Sequence, residues 1–322
     1  MTQGRRLGQY KLLETIAEGE ILSYYRAHDT EHDRPVILKL VHSHLYDDAD
    51  LVARFRRRAE ELLRLRHPHI LPVLDASFDK DALYLVTEVP GGESLERRRV
   101  SRGPLEIDDV LSIISQVATA LDYAHEQGVL HHDVRPANIS VQDETAVLTN
   151  FNILEAIGAT PVYMSPEQLD ETSAEAPGRC SDAYALGVVV YDILTGRPPF
   201  EGAAADVAAA HLTQRPLPPR VHDPDLPPAL DAILLKALTK QPQNRYQSAG
   251  ELAIALHQAV QTAQTRRMPD DGIFESQLRL ARETAHQNAS ERTEAGVPTW
   301  MWVGLGILLV VVITIIILLA TG

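Results

Sequence analysis

The stretch of sequence that decides the fold is His131-His132-Asp133-Val134-Arg135-Pro136-Ala137-Asn138. It follows a helical pattern over Val110 to His125 and precedes a strand-like run over Ala146 to Leu148, which predicts a loop for the stretch itself. A second polar segment, Asn150-Phe151-Asn152, follows the strand-like run after one residue, Thr149. These two segments hold the carboxylate and amide side chains on which a functional assignment depends.

The hydrophobic pattern divides the chain into two parts. From about Tyr10 to Val89, apolar and polar residues alternate in short runs, interrupted by one amphipathic helix over Leu51 to Leu65. Further along, long helical patterns take over, such as Ser181 to Thr195. We therefore predict an α+β fold with a small β-rich lobe over residues 8–89 and a larger helical lobe over residues 90–260.

Composition and charge exclude several classes of function. Among 322 residues, 44 are acidic and 30 are basic, and the resulting net charge of -14 argues against nucleic acid as a partner. The single cysteine, Cys180, excludes an intramolecular disulfide framework and a cysteine-based zinc site, and it is consistent with a reducing cytosol. The histidine pairs His42/His44 and His67/His69 have no carboxylate or cysteine spaced for a metal, so we interpret them as structural or surface residues.

The C-terminal part of the sequence has a different character. Trp300 to Ala320 contains no charged residue and is rich in Ile, Leu and Val, which predicts a transmembrane helix over residues 299–320. The polar residues 261–298 before it are interpreted as a juxtamembrane linker. Because the first ten residues lack an apolar signal segment, we expect a single-pass protein of the cytoplasmic membrane with its N-terminal domain in the cytosol.

Further motifs occur along the chain in a specific order. They are Val36-Ile37-Leu38-Lys39, His67-Pro68-His69-Ile70-Leu71, Thr160-Pro161-Val162-Tyr163-Met164-Ser165-Pro166-Glu167, Leu194-Thr195-Gly196-Arg197-Pro198-Pro199-Phe200 and Asn244-Arg245-Tyr246. Together with the stretch at His131, this order resembles the eukaryotic-like (Hanks-type) Ser/Thr protein kinases of bacteria over about residues 8–260. The resemblance implies the bilobal protein kinase fold and, for active members, phosphoryl transfer from ATP with Mg²⁺.

The resemblance also assigns roles to particular positions of this chain. Lys39 matches the lysine that binds phosphate, Asp133 the aspartate that orients the attacking hydroxyl, and Asn138 a metal ligand. Other positions match the nucleotide- and metal-binding set, namely Gly19, Glu88 and Asn150. A last group matches residues that hold the family's fold together: Asp182, Glu167, Arg245, His131 and Phe151, with Leu62 and Val73.

Some positions depart from the pattern that phosphoryl transfer requires. Gly19 is the only one of three expected glycines in the phosphate loop, and Leu22 places a branched side chain where backbone amides would approach the phosphates. Asn150 replaces the aspartate that holds Mg²⁺, and an amide binds this hard cation more weakly than a carboxylate does. His132 replaces the arginine that binds a phosphorylated activation loop, so we expect that function to be lost.

The lysine and adenine sides of the pocket are altered as well. Ungapped alignment puts Arg58 where the family has the glutamate that pairs with Lys39, so we expect repulsion between two cations unless the helix turns Glu61 inward. Tyr24 adds bulk where the nucleotide would lie. Pro90 falls at the hinge position whose backbone N–H binds adenine, or beside it if the alignment carries a one-residue gap.

These departures favour a pseudokinase that acts as a binding or scaffolding module, with Lys39 and Asp133 retained but no ATP or Mg²⁺ used. The alternative is a weak or atypical Ser/Thr kinase that uses ATP and Mg²⁺, with Asn138 and Asn150 as poor metal ligands. A third hypothesis is that an active kinase phosphorylates threonines near the membrane, which then recruit a phosphothreonine-binding domain. The candidate threonines are Thr262, Thr265, Thr284 and Thr293.

Overall fold

The computed structural model describes residues 5–79, 82–151, 161–170, 172 and 175–267. Residues 1–263 form one compact unit, and of the second unit, residues 264–322, only 264–267 are described. Within these described ranges, no helix is both long enough and apolar enough to cross a bilayer. The predicted transmembrane helix (299–320) and most of the predicted linker (261–298) lie outside the described residues.

The N-terminal lobe is built on a six-stranded antiparallel sheet. Its strands are β1 (Arg6–Leu7), β2 (Tyr10–Glu18), β3 (Leu22–Asp29), β4 (Arg34–Val41), β5 (Val73–Asp79) and β6 (Ala82–Glu88), in the spatial order β1-β2-β3-β4-β6-β5. Because every second side chain of a strand points to the same face, Val36 and Leu38 of β4 are both fully buried. In the β3–β4 pair, Tyr24 lies directly opposite Lys39, which puts these two side chains on one face of the sheet.

One helix, α1 (Ala49–Leu62), packs against this sheet. Asp48 caps its N-terminus by accepting hydrogen bonds from two amides of the first turn, at 3.1 and 3.0 Å, so the helix starts two residues before the predicted position. The ring of Phe55 on its buried face packs edge-on against Phe78 of β5, with centroids 6.2 Å apart. Arg58 is buried on the same helix, among otherwise apolar side chains.

The C-terminal lobe is mainly helical. Its helices are α2 (Leu95–Arg102), α3 (Ile107–Glu126), α4 (Pro166–Leu169), α5 (Arg179–Thr195), α6 (Ala204–Thr213), α7 (Ala229–Ala237) and α8 (Ala249–Arg267). A small antiparallel sheet accompanies them, with strands β7 (Glu93–Ser94), β8 (Ile139–Gln142) and β9 (Thr145–Leu148). Every residue of α5 from Ser181 to Leu194 is buried, so this helix forms the centre of the lobe.

The two lobes meet where the chain between α1 and β5 reaches the small sheet. The amide of Leu71 donates to the carbonyl of Leu148 at 2.9 Å, and the amide of Leu148 donates to the carbonyl of His69 at 2.8 Å. A cavity at this junction is lined by side chains of both lobes, including Lys39 and Phe151. The predicted architecture, a small β-rich lobe followed by a helical one, is confirmed, and the candidate site residues converge on the junction.

Candidate active site

Lys39 lies on β4 with its side chain between the two lobes. It is only 4% exposed, and its Nζ lies 5.7 Å from the centroid of the Tyr24 ring on the neighbouring strand. Burial lowers the pKa of Lys39 to about 8, and the negative charge of Asp133 acts in the opposite direction. No ion pair among the described residues joins Lys39 to a carboxylate, so the more distant charge of Asp133 is what stabilises this ammonium group.

Asp133 lies in the loop between α3 and β8 and is held by its own neighbours. Its Oδ2 accepts a hydrogen bond from Nδ2 of Asn138 at 2.7 Å and lies 3.3 Å from Nε of Arg135. Burial raises the pKa of Asp133 to about 6, although the charges of Arg135 and Lys39 and the hydrogen bond from Asn138 oppose the change. The catalytic position therefore keeps its carboxylate, but one of its oxygens is already engaged twice.

Asn138 and Asn150 occupy the positions at which metal ligands are expected. Asn138 is 2% exposed, and its Nδ2 donates to both the backbone carbonyl and the carboxylate of Asp133. Nδ2 of Asn150, which has a left-handed backbone with φ of 56°, donates to Oδ1 of Asn138 at 3.0 Å. Neither amide brings negative charge, and the described part of the chain contains no cluster of three or more His, Cys, Asp or Glu side chains that could hold a metal ion. The residues present therefore do not fit the Mg²⁺ that the resemblance implies.

The loop between β2 and β3 lies where the resemblance places the phosphates. The amide of Gly19 donates to the carbonyl of Leu22 at 2.9 Å, so this backbone group closes the turn. Burial raises the pKa of the Tyr24 phenol, with a further contribution from the charge of Asp133 and an opposing one from Arg135. Tyr24 thus lies beside Lys39, and the charges of the catalytic loop act on its phenol.

The hinge between the lobes follows β6. Pro90 has no backbone N–H to donate, and the carbonyl of Glu88 accepts the hydroxyl of Thr87 at 3.1 Å. One residue beyond Pro90, the carbonyl of Gly91 accepts a hydrogen bond from the hydroxyl of Ser140 on β8. The carbonyls of Glu88 and Gly91 are therefore both bonded to side-chain hydroxyls of the chain itself.

Arg58 reaches toward the C-terminal lobe, and this corrects the repulsion with Lys39 that the sequence predicts. Its Nη1 lies 3.2 Å from Oε2 of Glu61, and its Nη2 donates to the backbone carbonyl of Leu130. Glu61 is thus paired within α1, so the alternative in which it turns inward to Lys39 is wrong. The physical reason is the length of the arginine side chain, which carries its charge away from β4 to a carbonyl acceptor 72 residues along the chain.

Asp182, in the first turn of α5, anchors the catalytic loop through its backbone. Its Oδ2 accepts the amide of His131 at 2.8 Å, its Oδ1 accepts the amide of His132 at 2.9 Å, and Nε2 of His125 lies 2.7 Å from Oδ2. Burial alone would raise the pKa of Asp182, but the hydrogen bond from His125 and the nearby histidines lower it to about 2. This carboxylate is therefore ionised at neutral pH, and the course of the loop depends on it.

His131 and Phe151 pack against each other beside this anchor, with ring centroids 4.5 Å apart. Nε2 of His131 lies 3.0 Å from the carbonyl of Thr149, which can only accept, so Nε2 carries the proton. Burial lowers the pKa of His131 to about 4, and the ring is therefore neutral at pH 7. Phe151 also lines the junction cavity with Leu62 and Val73. Four of the residues that the resemblance assigns to holding the fold together thus lie close to one another between the lobes.

The segment that leads into α4 is docked on the helical lobe by two polar contacts. Nε2 of His211 lies 3.0 Å from the carbonyl of Val162, and Nδ1 of the same ring lies 2.8 Å from the Tyr184 hydroxyl. Burial lowers the pKa of His211 to about 4, so this ring is also neutral at pH 7. The hydroxyl of Tyr163 donates to Oδ2 of the buried Asp192 at 2.8 Å. The segment therefore has a fixed place on the lobe.

Glu167 of α4 and Arg245 form a buried ion pair. Their two contacts, Nη1 to Oε1 and Nη2 to Oε2, are both 2.8 Å long. The hydroxyl of Ser181 donates to Oε1 at 2.6 Å, which ties the pair to the start of α5. Although burial alone would raise it, the hydrogen bonds from Arg245 hold the pKa of Glu167 below its usual value. The structure thus brings together the two residues that the resemblance pairs.

Sequence reasoning does not identify two contacts of the site. Arg135 pairs with Asp133, and Nε2 of Gln168 donates to the carbonyl of His132 at 3.0 Å. A signal for the first contact is present in the sequence, since Arg135 is a cation two residues from Asp133 in one loop. The position of Gln168 gives no such signal, because its partner lies 36 residues away. Residues 152–160, which include Asn152 of the metal-binding motif, lie outside the described residues.

Comparisons with known proteins agree with this geometry. Serine/threonine-protein kinase PknE of Mycobacterium bovis is 35% identical over 280 residues, which cover 83% of this chain and 49% of that protein. Serine/threonine-protein kinase PrkC of Bacillus subtilis is 32% identical over 266 residues, which cover 78% of this chain and 41% of that protein. The chain thus spans about half the length, or less, of these curated relatives.

The crystal structure of the PknI kinase domain of Mycobacterium tuberculosis is similar to this one, with a TM-score of 0.67 and 28% sequence identity. The match covers 80% of this chain and 99% of that domain. The family described as protein kinase domain matches residues 10–258, which include both lobes and every candidate site residue. The chain belongs to the protein kinase family.

Proposed function

We propose that this chain is a membrane-anchored pseudokinase that acts as a binding or scaffolding module. The observation that carries the proposal is the hydrogen bond from Asn150 to Asn138, which joins two neutral amides at the positions where active kinases hold Mg²⁺ between the phosphates and a carboxylate. Phosphoryl transfer depends on this metal charge, because the enzyme contributes mainly positioning and electrostatic stabilisation. A site without it retains the fold but lacks the main source of rate acceleration.

Two further observations support the proposal. The ring of Tyr24 lies beside Lys39, with its centroid 5.7 Å from the lysine Nζ, and adds bulk on the side of the pocket where active family members bind adenine. Lys39 has no carboxylate in ion-pair distance among the described residues, whereas active kinases hold the equivalent lysine with a glutamate. Both differences weaken nucleotide binding independently of the metal.

The alternative is a weak or atypical Ser/Thr kinase that uses ATP and Mg²⁺. Its support is that Lys39 and Asp133 are both retained and are close enough for each charge to affect the pKa of the other. The names of the relatives PknE and PrkC, both serine/threonine-protein kinases, also favour it. Under this alternative, Asn138 and Asn150 would be the metal ligands, with no carboxylate to assist them.

The deciding experiment is thermal unfolding of the full chain in detergent, with ATP alone and with ATP plus Mg²⁺ or Mn²⁺, followed by a γ-phosphate transfer assay. A nucleotide at about 100 times its dissociation constant would add about 2.7 kcal/mol to the unfolding free energy. We expect no stabilisation that depends on metal, and no transfer to the chain or to a generic substrate. Transfer that disappears in Asp133→Ala would contradict the proposal and establish the alternative.

The membrane anchor and the partner are separate parts of the proposal. The uncharged sequence over residues 299–320 supports the anchor. Thr262 and Thr265, exposed on α8, together with Thr284 and Thr293 outside the described residues, are the sites that an active kinase would phosphorylate to recruit a phosphothreonine-binding domain. Phosphosite mapping on the chain purified from native membranes tests this part, and finding none of the four occupied would refute it.

A further inference from the structure

One buried cation of α1 extends into the other lobe. Arg58 is 8% exposed, its Nη2 donates to the carbonyl of Leu130, and its Nη1 lies 3.2 Å from Glu61. Leu130 directly precedes His131, whose amide is held by Asp182 at 2.8 Å. A single side chain thus joins α1 to the backbone that enters the catalytic loop, and that backbone is itself fixed to α5.

This arrangement differs from the usual attachment of the same helix. In active kinases, the helix is held by a glutamate that pairs with the strand lysine, and activation controls whether this pair is formed. Here the two buried cations are stabilised by different groups, since Arg58 contacts Glu61 and Leu130 while the more distant charge of Asp133 stabilises Lys39. The attachment of α1 therefore requires neither the lysine nor a nucleotide.

Breaking the contact between Arg58 and Leu130 should cost more free energy than breaking an ordinary hydrogen bond. A buried hydrogen bond from a charged donor contributes more to stability than a neutral one, and an arginine left without acceptors in this place would keep its buried charge. Burial has the largest effect on the pKa of His131 and lowers it, whereas Asp182 and the carbonyl of Thr149 raise it. The charge of Arg58 lowers this pKa further, so Arg58 also acts on the residue next to Leu130. Helix α1 and the catalytic loop are thus coupled at two neighbouring residues.

We propose that Arg58 is a positioning residue that latches α1 onto the backbone at Leu130 and so holds the two lobes in one arrangement without nucleotide. The latch gives the chain a constant surface for a partner where active relatives have a movable helix. It operates whether or not the chain transfers phosphate, so its failure and the failure of the proposed function are separate results.

Hydrogen exchange of the full chain in detergent, without nucleotide, tests the latch. The variant is Arg58→Met, which removes the donors and the charge but fills similar space. The matched control is Arg57→Met, at the preceding position, whose side chain is exposed. We expect amides of α1 and of residues 128–134 to exchange about 10- to 100-fold faster in Arg58→Met, the range for losing a hydrogen bond from a charged donor. The control should exchange like the unmodified chain.

A conservative variant separates the latch from general packing. Arg58→Lys keeps a positive charge and a donor, but its single ammonium group cannot contact Glu61 and Leu130 with separate nitrogens. The amide exchange rates of this variant in the same two regions should therefore lie between those of the unmodified chain and Arg58→Met. If Arg58→Met does not fold, the comparison of Arg58→Lys with Arg57→Lys takes its place, with faster exchange expected only in the former. Equal exchange in the variants at positions 57 and 58, or equal acceleration throughout α3 and α8, would overturn the latch.

Discussion

Removing the carboxylate of Glu167 should destabilise the kinase fold more than removing any exposed carboxylate. The guanidinium of Arg245 is fully buried, and Glu167 contacts it twice at 2.8 Å. The remaining acceptors of Arg245 are backbone carbonyls of Thr239, Lys240 and Cys180, which are neutral. Glu167→Ala therefore leaves a buried positive charge without a counterion, and breaking a buried pair in this way costs about 3–5 kcal/mol.

The chain offers a matched control for this variant. Glu201 lies 4.0 Å from Arg197, and both side chains are more than half exposed, so Glu201→Ala should cost less than about 1 kcal/mol. Urea unfolding of the full chain in detergent, monitored by far-ultraviolet circular dichroism, gives the unfolding free energies of the two variants. In thermal unfolding, Glu167→Ala should lower the midpoint by about 10 °C, at about 2–4 °C per kcal/mol. Equal losses in the two variants would show that the ion pair contributes no more than a surface pair, and the reasoning from burial would be wrong.

Three other variants test the site and its pH dependence. Tyr24→Val should give the full chain a metal-independent affinity for ATP, seen as about 2.7 kcal/mol of stabilisation at about 100 times the dissociation constant, and no gain over the unmodified chain would contradict the steric argument. Adding Asn150→Asp to that variant should make ATP binding stronger with Mg²⁺, because a carboxylate then replaces the amide beside Asn138; identical affinities with Mg²⁺ and with a chelator would refute this. His211→Gln should flatten the dependence of the unfolding free energy on pH between about 4 and 6.5, by up to about 1.4 kcal/mol per pH unit in urea titrations. The folded-state pKa of His211 lies below the unfolded value, so the unfolded chain binds the extra proton and stability is lost as the pH falls; an unchanged slope would show that this ring does not resist protonation.

Two kinds of contact in the site were predictable from the sequence. In one, a side chain bonds to the backbone of a motif, and in the other, two side chains from different motifs of the ordered set form a pair. Asp182 accepts the amides of His131 and His132, and Glu167 pairs with Arg245, as the order of motifs implies. Such contacts follow from the course of the chain, which the ordered motifs determine together with the alternation of apolar residues in the strands. The division into a β-rich and a helical lobe is predictable for the same reason.

The contacts of the polar side chains within the cleft were less predictable. Alignment places Arg58 beside Lys39 only if the side chain of arginine takes the direction of the glutamate it replaces, and the longer side chain instead finds a carbonyl in the other lobe. The hydrogen bond from Asn150 to Asn138 depends on the orientation of both amide groups. Asp133 fixes the orientation of Asn138, because its carboxylate accepts a hydrogen bond from Nδ2 and leaves Oδ1 free to accept one from Asn150. Sequence spacing does not determine these choices, because each depends on the direction that a side chain takes in the folded cleft.

The burial of α5 from Ser181 to Leu194 has a consequence for how the protein unfolds. A helix with one exposed face can detach while the rest of a domain persists, whereas α5 cannot leave without exposing the apolar surfaces of its neighbours on all sides. Its amides should therefore open only when the entire helical lobe unfolds, and a protease should find no partly unfolded form in which this segment alone is cleaved. A substitution that disrupts the packing around α5 should therefore destabilise the whole helical lobe instead of releasing one segment of it.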